Sequence, residues 1–353
     1  MDPRLRNTYA ALEQKHLDGL IVSEPANISY LTKFPSRDSY LLVSKKENLY
    51  FTDSRYIEEA KRALKGAATL EKTNGSVFKL IADACLNLGL RRIGFEERHL
   101  AYAEHKKIQE GLGKKASLVP THSLIEGFRQ IKEPEEIAKI KKAIQITSKA
   151  LKFIEKFIAC GKKEIEVAAE LERFIRYQGA TSSSFAIIVG SGPNSSFPHH
   201  ISGQRKIKPN EPLLIDLGVD YMGYKSDLTR VFFLDKINVL NQRVYDIVLK
   251  AQERAIAQIR PGKKIAEIDA LARQYIAKKG YGGFFGHSLG HGIGLEVHEE
   301  PHISSRETSR LSPGMIFTVE PAIYLPNEFG IRIEDMVLVT DQGCKELSGA
   351  IHK

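Results

Sequence analysis

The sequence predicts an α+β protein of two domains, and three observations carry that prediction. Two segments near the carboxyl end, LLIDLGVDYMGYKSDLTRVFF and MIFTVEPAIYLPNEFGIRIEDMVLV, alternate apolar and polar residues on either side of turn-forming residues, as β-hairpins do. Ahead of them, helical spacing alternates with short apolar runs. The chain has 353 residues, more than one average domain, and turn and proline signals at 119–134 mark the junction. The expected domains are 1–126, an α/β unit, and 127–353, a larger unit of helices and antiparallel hairpins.

In chain order, residues 4–15 have helical spacing and Gly19-Leu-Ile-Val22 reads as a buried strand. Pro25 opens a turn into a short helix. Two short strands, 41–43 and 49–51, flank a charged turn. Residues 55–65 have helical spacing, with Gly66 placed to cap them. Further helix and strand patterns run to Pro120. Asp53 and Glu96 stand alone in this unit and read as structural carboxylates. Residues 124–130 read as a stretch crossing the surface. Pro134 suits the first turn of a helix, and two long helices are expected at about 134–159 and 164–178, broken at Cys160-Gly161. An apolar run at 185–189 leads into a glycine-rich loop ending in Phe197-Pro-His-His200.

Composition narrows the function classes. Hydrophobic residues make up 42% of the chain, enough for a core, and no run of 18 apolar residues is present to span a membrane. The start, MDPRLRNTYAALEQ, has no apolar signal segment, and the three dispersed cysteines form no Cys-x-x-Cys, so a reducing, cytoplasmic location is expected. The net charge of +9 raises nucleic-acid binding. The basic residues are dispersed among acids, as in Lys132-Glu-Pro-Glu-Glu-Ile-Ala-Lys-Ile-Lys-Lys142, where acids lead and lysines trail as a solvated helix face prefers. No nucleic-acid or membrane partner is expected.

The chemistry lies in the hairpins. In the first, a turn around Asp220–Gly223 sets Asp216 directly opposite Asp227 if its loop is Tyr221-Met222, or diagonal to it if the loop falls one residue later. Either register puts both carboxylates on one face. In the second, a turn centred on Asn327 sets Glu320 opposite Glu334. Their neighbours Leu214, Ile215, Phe317, Val319 and Ile333 are core formers, so these carboxylates are not a solvated surface set. Buried like charges need a cation, and two divalent ions would balance four carboxylates.

The stretch from Gly286 to His302 carries three motif matches. Gly286-x-Ser288-x-Gly290 fits a serine-hydrolase elbow, but the glycines that follow do not favour the helix that motif requires. His298-Glu-Glu-Pro-His302 fits a zinc helix, but Pro301 would break it. Gly290 to Gly294 is a weak dinucleotide-loop match. The preferred reading is a glycine-rich strand pair whose missing side chains leave room for metal and substrate, with His291 a ligand and His298 an acid or hydrogen-bond donor.

IDLGVDYMGYKSDLTR, GHGIGLEVHEEP, TVEPAIY and GIRIED together resemble the motifs of the pita-bread metallopeptidases, and within them the Xaa-Pro aminopeptidases and prolidases. PANISYLTKF and YFTDSRYIEEA resemble the amino-terminal domain these enzymes share with creatinase, and FRQIKEPEEI the junction that follows. The resemblance implies a creatinase-like α/β domain followed by a curved antiparallel sheet covered by helices, in two pseudo-symmetric halves. It implies two divalent metals, Mn first, with Co, Zn or Fe as alternatives. Asp216 would bind one metal, Asp227 and Glu334 would bridge both, and His291 and Glu320 would bind the other. Glu320 would also act as base. His199 and His298 match histidines that bind substrate and stabilise the transition state, and Arg332 an arginine supporting the site.

Creatinase lacks these ligands, and methionine aminopeptidases usually lack the amino-terminal domain. Leu289 and Ala322 stand where the family often has Thr and Gly. Some prolidases carry Arg at the position of His302, where it helps hold a dipeptide carboxylate. The expectation is therefore an Xaa-Pro aminopeptidase acting on peptides with proline second, a homodimer as relatives often are. The alternatives are an Xaa-Pro dipeptidase, a methionine-aminopeptidase-like enzyme, and a metal-free peptide-binding relative.

Overall fold

The computed structural model describes residues 2–353 apart from 65, 74, 350 and 352. It divides into two compact units, Met1–Arg129 and Gln130–Lys353.

The first unit is a mixed sheet with helices. Its elements are α1 (Pro3–Gln14), β1 (Gly19–Val22), α2 (Pro25–Thr32), β2 (Tyr40–Ser44), β3 (Leu49–Thr52), α3 (Ile57–Ala63), β4 (Thr69–Lys72), α4 (Val77–Asn87), β5 (Arg92–Glu96), α5 (Tyr102–Leu112), β6 (Ser117–Thr121) and α6 (Leu124–Arg129). The sheet order is β4-β3-β2-β1-β5-β6. Apolar strand residues such as Ile21, Leu42, Phe51 and Ile93 pack with Ile81 and Ile108 from the helices. Two expectations shift. The helix expected at 55–65 begins at Ile57, because Asp53 accepts the Arg55 N–H and holds that residue in a turn. Lys65 lies outside the described residues. The stretch at 124–130 is a short helix rather than a surface crossing, since Leu124, Ile125 and Arg129 are buried.

The second unit contains α7 (Pro134–Ile154), α8 (Glu164–Tyr177), β7 (Ser182–Ser183), β8 (Ile188–Ser191), β9 (Pro212–Leu217), β10 (Val219–Tyr221), β11 (Tyr224–Lys225), β12 (Leu228–Phe233), α9 (Val239–Ile256), α10 (Ile265–Lys278), β13 (Gly290–Gly292), β14 (Glu299–Ile303), β15 (Ile316–Val319), β16 (Ala322–Leu325), β17 (Phe329–Arg332), β18 (Asp335–Val339) and β19 (Cys344–Glu346). Pro134 takes the first helical position of α7, and the Glu136 carboxylate returns to the Glu133 N–H, so the start is set by proline and a capping box together.

Two hydrophobic cores divide this unit. One joins α7 and α8 (Ile140, Leu151, Val167, Leu171) to Leu213 and Ile215 of β9. The other joins α9 and α10 (Val244, Val248, Ile268, Ile276) to Phe317, Ile323 and Ile331. Each half is thus two helices backing antiparallel strands. The antiparallel sheet and its helical cover agree with the expected fold. Among the described residues no helix is long and apolar enough to cross a membrane.

Glu96 shows what a lone carboxylate does in the first unit. At the end of β5, its Oε2 accepts the N–H groups of Ser23 at 2.6 Å and Glu24 at 2.8 Å, just ahead of α2. Its Oε1 accepts from Asn27 Nδ2 at 2.7 Å, and Arg129 donates to Asn27 Oδ1 at 2.7 Å, which prevents the Asn27 amide from turning over. Glu96→Gln would therefore set a donor against a donor in either orientation. The expected cost is about 1–3 kcal/mol, read as a lowered urea midpoint for this unit. An unchanged midpoint would show that the helix start does not depend on this carboxylate.

Candidate metal centre

The first hairpin adopts the later of its two registers. Tyr221 pairs with Tyr224 around a Met222-Gly223 loop, and Asp216 pairs with Thr229. Met222 and Gly223 both take positive φ, 52° and 86°, the requirement of a tight turn matched to strand twist. Asp227 is thus diagonal to Asp216. In the second hairpin the pairs Val319↔Asp335 and Ala322↔Arg332 bracket the candidate ligands and place Glu320 opposite Glu334. Ladders break at three of the four carboxylates: β15 ends before Glu320-Pro321, β18 begins after Glu334 and β12 begins after Asp227, whereas Asp216 stays paired within β9.

These groups converge away from water. Asp216, Asp227, His291 and Glu334 are buried, and the Glu320 side chain is 15% exposed. Ligand atoms of Asp227, His291 and Glu334 lie within 4.8 Å of one another. His291 Nε2 is 3.3 Å from Glu320 Oε1 and 3.7 Å from Asp227 Oδ2. Burial, then the charges of Glu334, Asp216 and Glu320, push the Asp227 carboxyl well above its usual range. Burial, then Glu320 and Asp216, do the same to Glu334. Burial pushes Glu320 up to about 7. Burial brings His291 down to about 4, leaving its imidazole neutral.

Asp216 Oδ1, Asp227 Oδ1 and Glu334 Oε1 are buried with no hydrogen-bond partner. Buried acceptors of this kind are costly unless a cation or donor meets them. Carboxylate oxygens with one imidazole nitrogen suit a divalent metal, so the residues present fit such a centre.

Arg332 is the one guanidinium set among them. It donates to Asp216 Oδ2 at 2.5 Å, the Tyr324 hydroxyl at 2.6 Å and Thr229 Oγ1 at 2.9 Å, and Thr229 in turn donates to Glu334 Oε2 at 2.7 Å. Thr318 donates to Glu320 Oε1 and accepts the His291 N–H, both at 3.1 Å. Sequence reasoning missed Thr229, Thr318 and Tyr324. The alternation that located the carboxylates reaches them too, since each lies two or four residues from Asp227 or Glu320 on the same face.

The remaining histidines form a rim. His199, His298 and His302 are exposed and line, with His287, Arg332 and the carboxylates, a cavity of about 960 Å³. Apolar residues, Ile165, Ala168, Phe185, Ile187 and Ile201, also line it. The His298 ring stands 4.3 Å from that of His291. Partial burial, then the neighbouring imidazoles of His199 and His302, lowers the His298 pKa.

The motif alternatives fall on geometry. Ser288 leads into β13 and not a helix. His302 lies on β14, so it shares no helical face with His298, and Glu299 is occupied by the buried Lys132 ammonium at 3.2 Å. The glycines of β13 leave room for something other than metal or substrate. A Cβ at Gly290 would lie 1.9 Å from the Thr318 carbonyl oxygen, and one at Gly292 2.1 Å from that of Glu300. Neighbouring backbone fills that space.

Comparison with known proteins follows this geometry. The profile of metallopeptidase family M24 matches residues 138–341, and that of the creatinase/prolidase N-terminal domain matches residues 4–131. The chain is 34% identical over 349 residues to an Xaa-Pro dipeptidase of Pyrococcus furiosus, covering 99% of this chain and 98% of that one. It superposes on the solved structure of an Xaa-Pro dipeptidase from Bacillus anthracis with a TM-score of 0.94 at 38% identity, covering 98% and 96% of the two chains. An X-Pro aminopeptidase from Thermotoga maritima superposes with a TM-score of 0.89 at 35% identity, covering 98% and 97%.

Two outcomes are expected of metal binding. Metal-free carboxyls held above their usual range must lose protons when a cation enters. Mn²⁺ affinity should therefore rise with pH through the region near 7 set by Glu320 and level off once the cluster is ionised. Proton release would be read by calorimetry in buffers of differing ionisation enthalpy, and an affinity flat across that region would contradict the raised Glu320 pKa. Asp227→Ala should abolish tight binding of at least one ion, measured by metal analysis after dialysis.

Proposed function

The chain belongs to metallopeptidase family M24, and from that premise we propose that it is a two-metal exopeptidase releasing the residue ahead of proline, with Xaa-Pro dipeptides as its preferred substrates. The observation that carries the reading is the buried convergence of Asp216, Asp227, His291, Glu320 and Glu334, with acceptor oxygens left without donors. The names of the relatives that align along nearly the whole chain support dipeptides over longer peptides. Cleavage of Xaa-Pro-Yaa peptides is the second reading, favoured by the likeness to the Thermotoga maritima aminopeptidase and by His302 in place of an arginine.

In this proposal Asp227 and Glu334 would be shared by two ions, with Asp216 helping to hold one and His291 and Glu320 the other. Mn²⁺ is the first candidate, with Co, Zn and Fe behind it. Bound divalent ions supply Lewis acidity, to a water molecule and to the scissile carbonyl. Glu320 receives the proton that water loses on attack and delivers it to the departing proline nitrogen. His298 offers a ring N–H to the carbonyl oxygen as negative charge gathers there. His199 offers a second donor from the facing loop, and Arg332 holds Asp216 in place. Proline carries no N–H in an Xaa-Pro bond, so the site must bind its ring by apolar contact. Phe185, Ile187 and Pro198 on the cavity wall suit that ring.

Steady-state kinetics on Xaa-Pro, Xaa-Pro-Yaa and Xaa-Ala peptides test the reading. The dipeptide should have the highest kcat/KM and the alanine peptide the lowest. Equal values for proline and alanine would overturn the proline assignment, and a preference for Xaa-Pro-Yaa would select the second reading. His298→Ala should lower kcat by roughly 10²–10³-fold, the scale of one lost oxyanion donor, with metal content unchanged. Loss of metal in that variant would make His298 a ligand.

A further inference from the structure

One side-chain amide holds both peptide groups that precede the candidate ligand glutamates. Gln252 lies on α9 and is fully buried. Its Nε2 donates to the Val319 carbonyl at 2.9 Å and to the Ile333 carbonyl at 3.1 Å. Val319 precedes Glu320 and Ile333 precedes Glu334, so each carbonyl shares a peptide plane with the N–H of a candidate ligand. Those N–H groups point elsewhere: Glu320 donates to the Leu289 carbonyl at 2.8 Å and Glu334 to the Thr229 carbonyl at 3.3 Å. Glu320 and Glu334 are opposed in register, yet neither N–H bonds across the pair. The ladder is open there: Ile333 donates to the Pro321 carbonyl at 3.5 Å, proline has no N–H to return, and Gln252 supplies the Ile333 carbonyl with a donor. The amide cannot turn over without loss, because Lys353 Nζ donates to its Oε1 at 3.0 Å.

The other half of the unit has a counterpart. Thr147, fully buried on α7, places its hydroxyl 2.7 Å from Ser226 Oγ, which also accepts the Val219 N–H at 3.0 Å. Ser226 precedes Asp227. In each half, then, the long helix behind the strands sends one polar side chain through the apolar layer to the residue ahead of a candidate ligand. Simple core satisfaction does not account for that repeated choice of position.

We propose that Gln252 is a positioning residue for the metal centre, setting the directions in which Glu320 and Glu334 leave the sheet. This rests on the reading of those glutamates as ligands. Gln252→Met keeps the side chain's length and removes both donors. Mn²⁺ binding to metal-free protein, followed by calorimetry beside thermal unfolding of the same metal-free sample, separates positioning from packing. The expected result is a fall in Mn²⁺ affinity of roughly 10–100-fold, the range for residues that orient metal ligands. Gln252→Asn, which keeps its donors on a shorter stem, should lie between, and it decides by the same comparison if the methionine variant does not fold. Lowered metal-free stability with wild-type Mn²⁺ affinity would make Gln252 a packing residue and overturn the proposal. Wild-type protein that binds no Mn²⁺, Co²⁺ or Zn²⁺ would instead overturn the ligand assignment itself.

Discussion

The mutual repulsion of Asp216, Asp227, Glu320 and Glu334 is the constraint around which the larger unit is arranged. Four carboxylates held within a few ångströms in a buried site cannot all be ionised without opposite charge. Among the described residues the protein sets one guanidinium against these carboxylates, Arg332, anchored by Asp216, Thr229 and Tyr324. Burial first, and then the charges of the neighbouring carboxylates, raise the Asp227, Glu320 and Glu334 carboxyls despite that guanidinium. A site that is electrostatically unfavourable when empty is well suited to hold divalent ions.

Such a site needs a frame that does not relax, and the two halves provide it in the same way. Each backs its strands with two helices and a closed apolar core. Each then interrupts its ladder beside a carboxylate, at Asp227 in one half and at Glu320 and Glu334 in the other. Regular pairing gives rigidity, and the interruption frees the chain to aim its ligands. Neighbouring groups cover the backbone atoms exposed at those breaks: the Leu289 and Thr229 carbonyls take the glutamate N–H groups, and side chains from the long helices reach the residues ahead of the ligands. Gly290 and Gly292 belong to the same economy, because only a residue without Cβ lets the strand carrying His291 approach its neighbours so closely.

Chemistry and structure divide along burial. The candidate metal ligands lie beneath the surface, whereas His199, His298 and His302 stand at the cavity rim with access to solvent. His291 and His298 adjoin, but burial holds the inner ring neutral, while the outer one is exposed. Apolar side chains, among them Ile165, Phe185 and Ile187, line the rest of the pocket.

The sequence by itself determined the alternation of the hairpins, the identity of the carboxylates and the Glu320–Glu334 register. Period-2 patterning survives in any environment, and Asn327 tolerates the positive φ its turn demands. It left the first register open, because moving that loop by one residue keeps Asp216 and Asp227 on the same face. It could not show that residues 124–129 coil into a buried helix, a segment too short for periodicity to speak. Nor could it show what fills the space beside Gly290 and Gly292, or that Gln252 reaches two carbonyls 67 and 81 residues away. Those facts were decided by tertiary structure alone: a missing Cβ records only that something comes close, and a buried amide's partners are set by which strands the fold brings under its helix.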